Sequence, residues 1–245
     1  PALLTQCGHP MRADLGGRGR IERNAFGPAS VRIRRERHPK GREAYRMVVA
    51  PGGVEICAGG DAGAYYAVRT LREMTVLHGR RLPACRVDDW PDLPRRGLSL
   101  DCSRGKVPTP ATLEGLVERL GRWRINELQL YVENVFTFRR HPAIGRGCSP
   151  FRPEDILRLQ DRCREHHVRL VGSLASFGHM ERIVSMPGYR HLGEGHSDPL
   201  FPWGATLCPT DPRSLRFMEE LYDEFVPLFE ADDFNICCDE TWEIG

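Results

Sequence analysis

The chain has no apolar run long enough to cross a membrane. Its longest apolar stretches, such as Met47–Ala50 and Ile236–Cys238, fall far short of the roughly 20 residues that a spanning helix needs. No CxxC pair occurs among its nine cysteines, at 7, 57, 85, 102, 148, 163, 208, 237 and 238, which argues against a zinc knuckle. Their scatter and odd number fit reduced thiols in a cytoplasmic protein better than a disulfide framework. No GxGxxG or GxxxxGK[ST] follows any apolar stretch, so a nucleotide-binding sheet has no support. No charged-then-apolar leader follows Pro1, so no secretory signal is visible. Lysine is nearly missing: Lys40 and Lys106 stand against 33 arginines, a bias that reflects codon usage more than chemistry. The net charge is only +2, which provides no overall basic field. The arginines of 32–37 alternate with Val31 and Ile33 and have no aromatic stacking surface, so a nucleic-acid interface is not expected there.

What is present is an ordinary globular composition, 245 residues with 40% hydrophobic and 28% charged. Residues 1–29 are rich in Gly, Pro and Arg and show no period. From Ser30 the pattern alternates. Tyr45–Ala50 reads as a strand, Pro51-Gly52-Gly53 as a tight turn and Val54–Ala58 as the hairpin partner. Asp61–Thr75 reads as a helix capped by Asp61, with Ala64, Ala67, Val68 and Leu71 on one face. This small α+β unit, residues 1–90, ends at the proline-rich join Trp90–Pro94.

The grammar then changes. Strands are expected at Gly97–Cys102, Glu127–Val132, Val168–Leu174 and Phe234–Cys238. Helices are expected at Pro110–Trp123, Pro153–His167 and Asp211–Phe229, the last started by Asp211-Pro212. Strands alternating with helices predict right-handed βαβ units and a parallel sheet. In the barrel form of such a sheet the reactive residues lie at the C-terminal strand ends. Those ends carry Asp101, Ser103 and Arg104; Glu133 and Asn134; Ser176 to His179; and Asp239-Glu240. Buried apolar strands otherwise avoid ionisable groups, so their recurrence at each end is the signal.

Asp239-Glu240 is the sharpest feature. Adjacent strand residues face opposite ways, so only one of the two projects along the interior while the other turns over the mouth. Two neighbouring carboxylates oppose each other's ionisation, which helps hold one protonated as a general acid. A solvated acidic turn is the plain alternative. His179, behind a glycine, is either a neighbour of that acid or a structural histidine. Arg96 is either a surface charge or a fork for sugar hydroxyls. Trp242 is either a sugar-stacking platform or a cap on the barrel. Glu133 is either a ligand for substrate or metal or an ion-pair partner.

Arg96–Arg104, RGLSLDCSR, resembles the opening barrel strand of the β-N-acetylhexosaminidases of glycoside hydrolase family 20, R-G-x-x-L-D-x-S-R. Phe177-Gly178-His179 is similar to that family's P-G-H, and Phe234–Glu240, FNICCDE, to its H-x-G-G-D-E. Tyr65–Arg72 resembles the helix motif of the α+β domain that precedes the barrel. The resemblance covers about residues 30–245. It implies a small α+β domain (1–90) followed by the first half of a (β/α)8 TIM barrel (91–245, strands one to four). It also implies substrate-assisted, anomer-retaining hydrolysis of terminal N-acetylglucosamine or N-acetylgalactosamine, with no metal and no cofactor. Glu240 would be the acid and then the base, Asp239 would orient the 2-acetamido group, Arg96 would hold ring hydroxyls and His179 would support the acid.

The sequence also departs from the family. Asn235 stands where His is usual, Cys237-Cys238 replace Gly-Gly, Ala175 stands where Asp is common, and Gly105-Lys106 replace His-Phe. These mark a divergent branch. Two rivals stand beside this reading. One is a metal-dependent sugar isomerase or epimerase using Glu133, His179 and Asp239 as ligands, which a chelator would silence. The other is a non-catalytic carbohydrate-binding relative. A full eight-unit barrel takes about 250 residues by itself. The chain is therefore expected to stop at the fourth strand, as a piece of a longer hexosaminidase.

Overall fold

The computed structural model describes residues 12–14, 30–79, 81–195, 200–241 and 243–244. The chain divides into two compact units, Pro1–Pro94 and Arg95–Gly245. No helix among the described residues is long and apolar enough to cross a membrane.

The first unit is a five-stranded sheet under one helix. Its strands are β1 (Arg12–Asp14), β2 (Ser30–Arg35), β3 (Tyr45–Ala50), β4 (Gly53–Ala58) and β5 (Cys85–Asp89), in the order β1-β5-β3-β4-β2. β3 and β4 form the expected hairpin, with Met47 opposite Ile56, while β2 runs parallel to β4. β5 falls where the sequence suggests only the approach to a linker. Its single buried residue, Val87, leaves too little apolar pattern to announce a strand.

Helix α1 (Asp61–His78) is one residue out of phase with its expected face. Gly60 is the N-cap, and no side chain caps the first turn. Gly63, Tyr66, Ala67, Thr70 and Met74 are buried, whereas Val68 is 43% exposed. Gly63 sets the phase: a Cβ there would lie 2.5 Å from the Ala44 carbonyl oxygen, so only glycine admits this close approach. The Tyr45 and Thr70 hydroxyls meet at 2.7 Å inside this core.

The second unit is α/β. Strands β6 (Gly97–Asp101), β7 (Glu127–Val132) and β8 (Arg169–Leu174) form a parallel sheet in that order. Helices α2 (Pro110–Arg122) and α3 (Pro153–Glu165) connect them, a short α4 (Glu181–Val184) follows β8, and α5 (Pro212–Phe225) comes later. The helix starts follow their signals. Thr109 accepts from the Thr112 amide and Asp211 from the Arg213 amide, and each is followed by proline. β7 alternates as its sequence does. Leu128, Leu130 and Val132 are buried, each worth roughly 1.5–3 kcal/mol, while Glu127, Gln129 and Tyr131 line the other face. Register aligns Asp101, Tyr131 and Ser173 in one row at the C-terminal end.

The expected fourth strand, Phe234–Cys238, is corrected. Only Asn235 pairs with β8, in a single parallel bridge to Ser173. The Asn235 amide donates to Gly172 at 3.0 Å, and the Leu174 amide donates to Asn235 at 3.1 Å. Beyond it the Asn235 side chain takes the Cys237 amide at 3.0 Å, and Cys237 adopts φ 47°. That turn removes the donor a ladder would use and bends the backbone out of the extended region.

At the N-terminal strand ends Glu127 bridges two arginines, 2.8 Å from Arg95 Nη2 and 2.6 Å from Arg169 Nη2. Asp233 faces the same pair. One tight spot is directly testable. A Cβ on Gly172 would lie 2.6 Å from the Phe234 ring and 2.8 Å from that of Phe229. Gly172→Ala is expected to cost about 1–3 kcal/mol, read as a lower urea midpoint at unchanged slope.

Candidate active site

The C-terminal strand ends bring five charged side chains together. After β6 the chain turns tightly, and Asp101 Oδ1 accepts the Ser103 and Arg104 amides at 2.8 and 3.2 Å. Asp101 Oδ2 accepts Arg104 Nη1 at 2.7 Å. Partial burial opposes ionisation of Asp101. The two amides and the guanidinium outweigh it and hold the carboxyl below its usual range.

This turn aims Arg104 across the sheet end. Its guanidinium lies 5.2 Å over the Tyr131 ring. Nη2 is 3.4 Å from Glu133 Oε1 and 3.3 Å from His179 Nδ1. Glu133 is 3% exposed, and its Oε1 accepts the Tyr131 hydroxyl at 3.1 Å. Its amide donates to Ser103 Oγ at 2.8 Å, tying the second strand end to the first. Burial, then the charge of Glu181, raise the Glu133 carboxyl, against Tyr131, Arg104 and His179. Burial and the Glu133 charge likewise push the Tyr131 phenol up.

His179 follows β8 through Gly178 and adopts φ 58°. Its Nε2 lies 3.2 Å from Glu240 Oε2 and 3.5 Å from Asp239 Oδ2. The two acids remain open to solvent, at 58% and 61% side-chain exposure, while His179 is 13% exposed. Gly178 makes the approach possible, because a Cβ there would sit 2.1 Å from the Asp239 carbonyl oxygen. Ser176 Oγ donates to the Ile236 carbonyl at 2.5 Å, and Ser173 Oγ meets Cys237 Sγ at 2.9 Å. Burial raises the Cys237 thiol despite Ser173, and Cys102 is pushed up to about 12 by burial, with Asp101 adding to it. Both thiols thus remain protonated packing groups.

Of the residues picked from sequence, Glu133, His179, Asp239 and Glu240 lie in this cluster. Arg96 does not join them. It precedes β6, at the opposite end of the strand, where its amide donates to Asn126 Oδ1 at 2.8 Å and its Nε to the Arg124 carbonyl at 2.7 Å. Trp242 lies outside the described residues. Arg104 and Gly178 stand among the strand-end residues without a role of their own in the sequence, and Tyr131 is not among them. Tyr131 carries a usable signal, since it sits two residues before Glu133 and shares its strand face. Among the described residues no three His, Cys, Asp or Glu side chains are placed to hold a metal ion, and Arg104 fills the space between Glu133 and His179.

Comparison with known proteins points one way. Residues 7–90 match the family model for glycosyl hydrolase family 20, domain 2. The beta-hexosaminidase of Akkermansia muciniphila is 22% identical over 230 residues, covering 82% of this chain and 46% of that protein. The beta-N-acetylhexosaminidase of Cellulomonas fimi is 37% identical over 118 residues, covering 46% of this chain and 24% of that protein. The X-ray structure of the chitobiase of Flavobacterium johnsoniae superposes with a TM-score of 0.75 at 23% identity, over 89% of this chain and 35% of that one. The chain thus spans less than half the length of each of these relatives. The first unit thus matches domain 2 of glycosyl hydrolase family 20, and the chain as a whole is similar in sequence and fold to beta-N-acetylhexosaminidases of that family.

Proposed function

We propose that this chain carries the acid–base centre of a β-N-acetylhexosaminidase, acting on terminal N-acetylglucosamine or N-acetylgalactosamine. The observation that carries the reading is the Glu240–His179 contact at 3.2 Å, with Asp239 beside it and both carboxylates open to solvent. In this reading β6, β7, β8 and the Asn235 segment are the first four units of a (β/α)8 barrel, and the acids stand at its mouth.

The reaction divides in two. First the 2-acetamido oxygen of the sugar attacks the anomeric carbon while Glu240 gives its proton to the departing glycosidic oxygen. The C–O bond to the leaving group breaks, and a cyclic oxazolinium forms. Asp239 orients the acetamido N–H and stabilises the positive charge that develops there. Water then attacks the anomeric carbon from the vacated side, the Glu240 carboxylate takes its proton, and the acetamide re-forms with the original anomeric configuration. Arg104, with a 54% exposed side chain in the cluster, takes the hydroxyl-binding part that the sequence alone offers to Arg96. Glu133 and Tyr131 hold Arg104 in place. Trp242 stays a candidate stacking platform.

The test is release of an aryl alcohol from an N-acetyl-β-glucosaminide and an N-acetyl-β-galactosaminide. Turnover of either supports the reading, and turnover of neither removes it.

A further inference from the structure

We propose that Arg104 is a positioning residue that holds the His179 ring as its Nε2–H tautomer, so that His179 donates a hydrogen bond to Glu240. The role of this bond in turnover rests on the hydrolase reading above; the tautomer itself follows from geometry. Arg104 Nη2 lies 3.3 Å from His179 Nδ1. A guanidinium has five donors and no acceptor, and it stays protonated throughout the working pH range. Nδ1 must therefore present its lone pair, and the ring hydrogen sits on the other nitrogen. That nitrogen faces acceptors only: Glu240 Oε2 at 3.2 Å and Asp239 Oδ2 at 3.5 Å. The two ends of the ring agree on one tautomer.

Arg104 is fixed on three sides. Nη1 is bonded to Asp101 Oδ2 at 2.7 Å, Nη2 is 3.4 Å from Glu133 Oε1, and the plane rides on Tyr131 at 5.2 Å. The same Tyr131 ring meets His179 edge-on, at 6.3 Å and 88°. A hydrogen on Nδ1, in the other tautomer or in the doubly protonated ring, would set two donors face to face. Glu240 consequently faces a neutral donor. That donor steadies the carboxylate left behind once the proton has been delivered.

The measurement is nitrogen–hydrogen correlation spectroscopy on protein labelled with 15N-histidine, without substrate, between about pH 7 and 8. His179 is assigned by comparison with His179→Gln. The wild type is expected to show hydrogen on Nε2 and none on Nδ1. Arg104→Met is expected to populate both tautomers, and Arg104→Lys, which keeps a donor-only head, to restore Nε2–H. A wild-type ring carrying hydrogen on Nδ1, or on both nitrogens, overturns the proposal. So does an unchanged spectrum in folded Arg104→Met. The wild-type spectrum decides the first point without any variant. Since no turnover is measured, failure here leaves the hydrolase reading standing, and failure of hydrolysis leaves the tautomer assignment standing.

Discussion

Glu240→Gln is expected to lower kcat/KM for an N-acetyl-β-glucosaminide by about 100- to 10,000-fold, the usual contribution of a general acid–base. The substitution is nearly isosteric, and the site is open around it: the Glu240 side chain is 58% exposed, so no packing is lost. The amide oxygen can still accept from His179 Nε2, now 3.2 Å from the carboxylate. What disappears is the proton. The loss should therefore depend on the leaving group. A good leaving group such as a dinitrophenolate needs little protonation and should recover much of the first step, whereas an alkyl or sugar leaving group should not. A role for Glu240 in folding or substrate binding alone would depress all leaving groups equally, and that pattern would contradict the assignment.

Gly178→Ala is the second large expectation, and it involves no reacting atom. The added methyl would lie 2.1 Å from the Asp239 carbonyl oxygen, well inside van der Waals contact. Backbone is the obstacle, so no side chain can swing aside. Either the His179 turn or the Asp239-Glu240 segment must retreat by about an ångström, a misplacement that typically costs about 100-fold in rate. Overpacking should also cost about 1–3 kcal/mol of stability. Activity falling while the protein stays folded by circular dichroism is the expected result. Full activity in Gly178→Ala would mean that the contact between the two turns does not set the position of the acid.

Much of this was legible in the residues because it was local. β3 and β7 fall on their sequence boundaries, Tyr45–Ala50 and Glu127–Val132: β7 because its apolar side chains alternate strictly, β3 because a short apolar run ends at the Pro51-Gly52-Gly53 turn. The Asp-Glu pair and the Gly-His turn were readable for the same reason: each is a few consecutive residues. What failed depended on distance or on φ. Arg96 and Arg104 belong to one motif, yet the five residues of β6 separate their ends by about 17 Å, and only Arg104 reaches the site. The apolar run Phe234–Cys238 reads as a strand because periodicity carries no information about the left-handed turn at Cys237. The family glycine at that position suits φ 47°; here a cysteine bears the conformation and gains its Ser173 contact in return. The phase of α1 turned on Gly63 against the Ala44 carbonyl, a long-range backbone contact that no helical face can announce.

The central claim is that the sugar's own acetamido group is the nucleophile beside Glu240 and Asp239. Parallel assays of an aryl N-acetyl-β-glucosaminide and the matching aryl β-glucoside, which has a hydroxyl at carbon 2, test it most directly. The account predicts turnover of the first, with a β-configured product at first appearance, and no measurable turnover of the second. Comparable cleavage of both substrates, or an α-configured first product, would contradict it.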